Sequence, residues 1–200
     1  MNKMLENNPD TPDNYNQKFK GVIIKYNGLD HSEDKRLNEL LKYFKGGKLL
    51  DVGCWNSPTS ILAQNKCSNS EITVLDFTPA SIDYWKNNYP YEAVLSDCCK
   101  TPFNDNTFDY IVAGEIIEHI ENPESLVKEM IRILKPNGIL ALSTPNEETN
   151  NSCGGGYHIW SFKKEDIKTM FEKYGKAEVE LFSRGDNRYY IIGFLIKNGN

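Results

Sequence analysis

At 200 residues, with 39 % hydrophobic and 26 % charged residues, the chain has the make-up of one globular domain and leaves little room for a second. Its formal charge of −5, from 23 Lys plus Arg against 28 Asp plus Glu with no long basic run, argues against a large nucleic-acid partner held by concentrated positive charge. No apolar run approaches the ~18 residues that a spanning helix needs, and the polar start Met1-Asn2-Lys3-Met4-Leu5-Glu6 lacks the core of a secretory signal, so a cytoplasmic protein without a membrane partner is expected.

Residues 1–17, rich in Asn, Asp and Pro, read as a tail or a loosely docked lid extending to about residue 30, with Tyr15, Phe19 and Tyr26 available to fold over a ligand. Residues 31–200 are expected to form the single folded domain. Leu37, Leu40, Leu41 and Phe44 recur at three- and four-residue spacing, which predicts an amphipathic helix from His31 to Lys45 ended by Gly46-Gly47. His31 then sits at a helix start as a cap or surface residue.

Leu49-Leu50-Asp51-Val52-Gly53 reads as a buried strand running into a tight turn, and Pro58 is placed to start the next helix, Thr59 to about Lys66. Ile72 to Leu75 predicts a second strand ending at Asp76, and Thr78-Pro79 starts a helix continuing to about Asn87. Ala93 to Asp97 and Thr107 to Ala113 predict further strands. Asn122-Pro123 caps a helix with Leu126, Val127, Met130, Ile131 and Leu134 on its inner face, stopped by Pro136-Asn137-Gly138.

Ile139 to Leu142 predicts a fifth strand, followed by a long polar loop, Asn146 to Tyr157, of a length more often functional than ornamental. A helix from Phe162 to Tyr174 and two strands, Ala177 to Phe182 and Tyr189 to Ile196, close the chain. A turn near Gly185-Asp186-Asn187 implies that those strands pair antiparallel. Alternating strands and helices predict a doubly wound, mostly parallel sheet covered on both faces. Ligands bind beyond the carboxyl ends of such strands, so Gly53, Asp76, Asp97 and Gly114-Glu115 should converge on one crevice. Five cysteines, at 54, 67, 98, 99 and 153, are odd in number and form no CxxC pair, which favours reduced thiols.

From Lys48 to Lys197 the sequence resembles the class I S-adenosylmethionine-dependent methyltransferases. The matching pieces are LLDVGC at 49–54, VLDFTPASIDYW at 74–85, LSDCCKTPFNDNTFDYIVAGEIIEHI at 95–120 and LKPNGILALSTPN at 134–146, in the family's order and spacing. The resemblance implies a Rossmann-like seven-stranded sheet with the last strand antiparallel, and S-adenosylmethionine as cofactor. It implies that Gly53 admits the methionine part of the cofactor, with Asp51 supporting that turn or the cofactor's amino group. Asp76 would hold the ribose hydroxyls, Phe77 would pack on the adenine, Asp97 and Cys98 would border its edge, and Gly114 would pass the methionine tail. The first motif departs from the family's three glycines, with Trp55 and Ser57 where the second and third fall. Glycine serves there for positive φ or close approach. Trp55 is left either lining the pocket, near a sulfonium it could meet through cation–π attraction, or packed outward.

Methyl transfer from a sulfonium is an in-line displacement, and an oxygen nucleophile also needs a base. If a helical turn follows the fourth strand, Glu115, Glu118 and His119 share a face by their i, i+3, i+4 spacing, which suits acid–base work and also a divalent cation. The EIIEH pattern resembles the metal-bearing motif of the ubiquinone-pathway O-methyltransferases and of the enzymes that methylate the terminal ribose of small RNAs, while relatives without a metal carry a similar run, and no residue is assigned as a metal ligand. His158, beside the long loop on the substrate side in this family, is the expected general base, with Glu115 and His119 as further catalytic candidates. The expected function is O-methylation of a small polar acceptor, a sugar or metabolite. The alternatives are a metal-assisted RNA ribose methyltransferase, from EIIEH, TPNEETN and His158, and a non-catalytic cofactor-fold subunit, from the missing glycines. The oligomeric state is left open.

Overall fold

A computed structural model describes residues 1–4, 11, 14, 31–146, 158–183 and 189–199, the side chains of 31–34 apart. After strand β1 (Asn2–Lys3) come helix α1 (His31–Leu40), β2 (Lys48–Val52), α2 (Thr59–Lys66), β3 (Glu71–Asp76), α3 (Pro79–Asn88), β4 (Glu92–Leu95) and β5 (Phe108–Gly114). A 3-10 turn (Ile117–His119) precedes α4 (Pro123–Ile133), β6 (Leu134–Pro145), β7 (Trp160–Ser161), α5 (Lys164–Glu172), β8 (Gly175–Ser183) and β9 (Tyr189–Lys197).

Seven strands form one sheet in the order β4-β3-β2-β5-β6-β9-β8. All neighbours are parallel except β9, the last strand in sequence, which runs antiparallel to both β6 and β8. The expected doubly wound, mostly parallel seven-stranded architecture is therefore present. Strand order reverses between β2 and β5, and in such sheets the crevice opens beyond the carboxyl ends of the strands at that reversal. Gly53 and Gly114 end the two strands that flank it.

Side chains alternate between the faces of each strand, so one sheet supports two cores. Leu49, Val74, Tyr110, Val112, Ile192 and Phe194 face Leu37 and Leu40 of α1, Ala63 of α2 and Trp85 of α3. Leu50, Leu75, Ile111, Leu140 and Ile191 face Leu126 and Met130 of α4 and Ile167 and Phe171 of α5. Helices bury both faces, which is why the central strands read as nearly continuous apolar runs.

β4 ends at Leu95 rather than at the expected Asp97, which lies in the following turn, and three further boundaries differ from expectation for local reasons. α1 ends at Leu40 rather than Lys45, because tighter turns follow, with Lys42 N–H bonding Glu39 O and Phe44 N–H bonding Leu41 O, yet Leu41 and Phe44 remain buried. α4 stops at Ile133, and β6 runs straight through Pro136-Asn137-Gly138, with Asn137 at φ +63 and a register shift opposite Phe108 and Tyr110. That irregular start tolerates a proline that a regular central strand would not. The last helix is shorter than predicted, Lys164–Glu172, opening with Asp166 Oδ2 accepting the Lys163 N–H at 2.8 Å.

Of the expected tail or lid, Tyr15, Phe19 and Tyr26 lie outside the described residues. β1 pairs antiparallel with β7, Lys3 opposite Trp160, and Met4 N–H bonds Ile159 O at 2.6 Å. Most of the loop from Asn146 to Tyr157, the turn at 185–187 and Cys153 also lie outside the described residues.

Candidate functional site

The turn after β2 is held from below and from the side. Asp51 is buried, its Oδ2 accepting the Ser60 hydroxyl at 2.8 Å, and burial pushes its carboxyl up to about 7 against the hydrogen bonds from Ser60. Gly53 has φ +66, and a Cβ built there would stand 2.5 Å from Ile116 Cδ1, so the position needs glycine for both its conformation and its closeness to the neighbouring turn. The Gly53 and Cys54 N–H groups both bond Leu75 O, fastening this turn to β3.

Trp55 takes the left-handed conformation itself, at φ +41. Such a residue costs about 1–2 kcal/mol. The compensation is in its backbone. Its N–H donates to Asp76 Oδ2 at 2.8 Å, and its carbonyl accepts from Ser81 Oγ at 2.7 Å and from the Trp85 indole N–H. At about 0.5–1.5 kcal/mol net each, three hydrogen bonds are enough to hold the turn. Trp55 is among the residues that line the cavity.

Asp76, at the end of β3, is buried and accepts two backbone N–H bonds, from Trp55 on Oδ2 and from Thr78 on Oδ1, each at 2.8 Å. Burial raises its pKa, and those two N–H bonds oppose the rise. The Thr78 and Ser81 hydroxyls oppose it as well. Phe77, Asp97 and Cys98 line the same wall, and Asp97 Oδ1 accepts the Cys99 N–H at 2.8 Å.

The turn after β5 departs from expectation. Glu115 sits at φ +55, so the helical turn starts only at Ile117, and Glu115 parts from Glu118 and His119, which stay together. Glu115 points back to β6: its N–H bonds Ser143 O at 2.9 Å, its Oε1 accepts Ser143 Oγ at 2.8 Å, and the Arg36 guanidinium lies 3.8 Å away. Glu118 is buried, with Oε2 accepting Thr144 Oγ1 at 2.9 Å. Its Oε1 has no hydrogen-bond partner among the described residues and lies 3.9 Å from His119 Nε2.

His158 meets this turn edge-to-face, its ring centroid 4.9 Å from that of His119. The contact follows from backbone pairing, because Ile159 N–H bonds Glu118 O and the Trp160 indole N–H bonds Ile120 O, both at 2.9 Å. Glu118, His119 and His158 each present a ligand atom within 4.8 Å of the others. Glu115 is not of that group.

A cavity of about 820 Å³ lies against these turns, within the size range of small-molecule sites. Gly53, Trp55, Asp76, Phe77, Leu95, Asp97, Cys98 and Cys99 line one side, and Glu115, Ile116, His119, Ile120 and Asn122 the other, with Thr11 at its rim. Of the predicted convergence of Gly53, Asp76, Asp97 and Gly114-Glu115, the structure brings Gly53, Asp76, Asp97 and Glu115 to the cavity and leaves Gly114 out. Among the described residues that line the cavity, Asp51, Gly114 and His158 do not figure. Asp51 supports the turn from beneath, and His158 stands behind His119. Gly114 makes room for α1, since a Cβ there would lie 3.3 Å from Arg36 Nη1 and 3.4 Å from Leu40 Cδ1.

Arg36 went unnoticed in the sequence. It is buried, donates to Ser143 Oγ at 2.9 Å and stacks 5.0 Å from the Tyr190 ring centroid. The available signal was its spacing, since residue 36 shares a helix face with Leu40, but a charged residue there reads equally well as solvated.

The family model described as "Methyltransferase domain" matches residues 50–142. A demethylmenaquinone methyltransferase of Staphylococcus carnosus is 28 % identical over 160 residues, 78 % of this chain and 62 % of the relative. Squalene methyltransferase 1 of Botryococcus braunii is 31 % identical over 142 residues, 62 % of this chain and 37 % of the relative. The chain thus spans less than two thirds of the length of these relatives. Among solved structures, the Burkholderia thailandensis 1,6-didemethyltoxoflavin-N1-methyltransferase, with its acceptor and S-adenosylhomocysteine bound, superposes with a TM-score of 0.73 at 11 % identity, covering 94 % of this chain and 87 % of that one. No described helix is long and apolar enough to cross a membrane. The motif match, the relatives and the strand order agree: the chain has the fold of the class I S-adenosylmethionine-dependent methyltransferases and is similar to them in sequence.

Proposed function

We propose that the chain transfers the methyl group of S-adenosylmethionine to a small organic acceptor with a flat or hydrocarbon body and an ionisable hydroxyl. The observation that carries this reading is the single cavity wall joining Gly53, Asp76, Phe77 and Asp97 to Ile116, Ile120 and His119. S-adenosylmethionine supplies a methyl group activated on a sulfonium. Asp76 accepts the ribose hydroxyls at the end of β3, Phe77 packs on the adenine, and Asp97 and Cys98 border its edge. Gly53 gives the methionine part access to backbone over Ile116.

For the acceptor, Trp55, Leu95, Ile116 and Ile120 supply apolar walls, which keep water from the line of displacement. They favour a ring or chain over a sugar, as do relatives named for demethylmenaquinone and squalene. His119 faces the acceptor and takes its proton, with His158 and Glu118 behind it. Glu115 serves by bracing the turn on Ser143 rather than by touching the acceptor. The test pairs calorimetric titration of S-adenosylhomocysteine with product mass analysis over a panel of phenolic and aliphatic acceptors. Tight binding with a methylated phenolic product is expected, His119→Ala lowering turnover at least ~100-fold with cofactor affinity kept. Absence of cofactor binding would return the chain to the non-catalytic reading.

A second reading, metal-assisted transfer to a ribose hydroxyl, is favoured by one observation: the unpartnered Glu118 Oε1 beside two imidazoles, a donor set suited to a divalent cation. Glu118, His119 and His158 would hold the ion, which would polarise the attacking hydroxyl. Turnover lost on chelation and restored by Mg²⁺ or Mn²⁺, with an RNA 3′ end as acceptor, would replace the first reading; turnover unchanged after exhaustive chelation would remove the second.

A further inference from the structure

The turn after β4 brings two adjacent thiols to the cavity wall. Lys100 N–H bonds Asp97 O at 3.2 Å and Cys99 N–H bonds Asp97 Oδ1 at 2.8 Å, closing residues 97–100 into a fixed turn. Cys98 is buried and Cys99 half-buried, and both line the cavity beside Asp97. The two thiols and the Asp97 carboxylate each present a ligand atom within 4.8 Å of the others. Ligands about 2.3 Å from a tetrahedral ion stand about 3.8 Å from one another, so a modest side-chain rotation closes this set on one ion. The other two described cysteines stand apart from this turn, Cys54 in the turn after β2 and Cys67 at the end of α2.

We infer that Cys98, Cys99 and Asp97 form a site for a thiophilic divalent cation of the Zn²⁺ or Cd²⁺ type, and that its occupancy and occupancy of the cavity's adenine end exclude one another. Softness selects the ion, because two sulfur ligands favour Zn²⁺-like cations over the Mg²⁺ or Mn²⁺ that carboxylates and carbonyls hold. Two S–metal bonds form and two thiol protons pass to solvent, with no change of oxidation state. The ion site stands on the geometry of the turn alone; the exclusion rests on the cofactor placement proposed above. By linkage, whatever factor the cofactor imposes on the ion's affinity the ion imposes on the cofactor's.

The test is a titration of the fully reduced chain with Cd²⁺, read by the sulfur-to-cadmium charge-transfer band in the ultraviolet. One equivalent should saturate the band, Cys98→Ser with Cys99→Ser should abolish it, and Asp97→Asn should weaken binding about ten-fold. Cadmium NMR of the unmodified chain gives an answer independent of whether the variants fold, since a two-sulfur site has its own chemical shift. A band that persists in the double variant, or a single-sulfur shift, would overturn the site. Saturating S-adenosylhomocysteine should raise the apparent Kd for Cd²⁺ at least ten-fold. An unchanged Kd, with the cofactor shown to bind by calorimetry, overturns the exclusion and spares the site; a cofactor that does not bind at all counts against the proposed function instead.

Discussion

Two turns flank the crevice, and each carries a bulky residue in the left-handed region, Trp55 at φ +41 after β2 and Glu115 at φ +55 after β5. Both use their backbone N–H, but Glu115 also ties down its side chain. Trp55 is fixed by its backbone, whose N–H and carbonyl bond Asp76, Ser81 and Trp85, and the residue lines the cavity. Glu115 commits its side chain to Ser143 beside Arg36, and that tether frees the next turn to present Glu118 and His119.

The largest expected effect comes from removing the acceptor that the first turn depends on. Asp76→Ala leaves two backbone N–H groups without their partner, each worth about 1–3 kcal/mol when buried, so urea titration should show a loss of several kcal/mol and calorimetry a cofactor affinity down by more than ~100-fold. If Trp55 were held by its ring instead, the loss would be small.

Next in size is the pH dependence set by Asp51 beneath that turn. Its folded pKa, about 7, lies above the unfolded value near 4, so its contribution is fully present below pH 4 and is lost as pH rises through 7. Wild type measured against Asp51→Asn should therefore lose up to about 4 kcal/mol between pH 4 and 8, the shift counted at ~1.4 kcal/mol per unit. A difference that grows with pH in the other direction would show the carboxylate charged in the folded state.

Gly53→Ala should cost about 1–3 kcal/mol by thermal unfolding, from the left-handed φ and the 2.5 Å approach to Ile116 Cδ1. Pairing it with Ile116→Ala should recover the clash but not the conformational part. The smallest and most discriminating pair replaces the strained residues by glycine. Trp55→Gly should be within about 1 kcal/mol of neutral, because its backbone bonds survive, whereas Glu115→Gly should cost about 1–2 kcal/mol by losing the bond to Ser143. Equal outcomes would erase the contrast between the two turns.

Much of the site was legible in the sequence. Gly53, Asp76 and Asp97 end apolar runs, and a parallel sheet brings such ends together whatever the helices between them do. The spacing argument failed at Glu115 because it assumes helical φ from that residue onward, and one positive φ redirects the side chain to β6. Gly114 was recognised as significant but for another partner, the buried Arg36.

Local sequence determined the order of strands and helices, the two faces of the sheet and the acids at its strand ends, since periodicity and turn chemistry act within a few residues. Tertiary structure alone decided that tryptophan is tolerated at 55, that Arg36 is buried against Ser143, and that His158 stands behind His119. Each of these depends on hydrogen bonds or ring contacts between residues 20 to more than 100 positions apart. Only the packed sheet sets those distances.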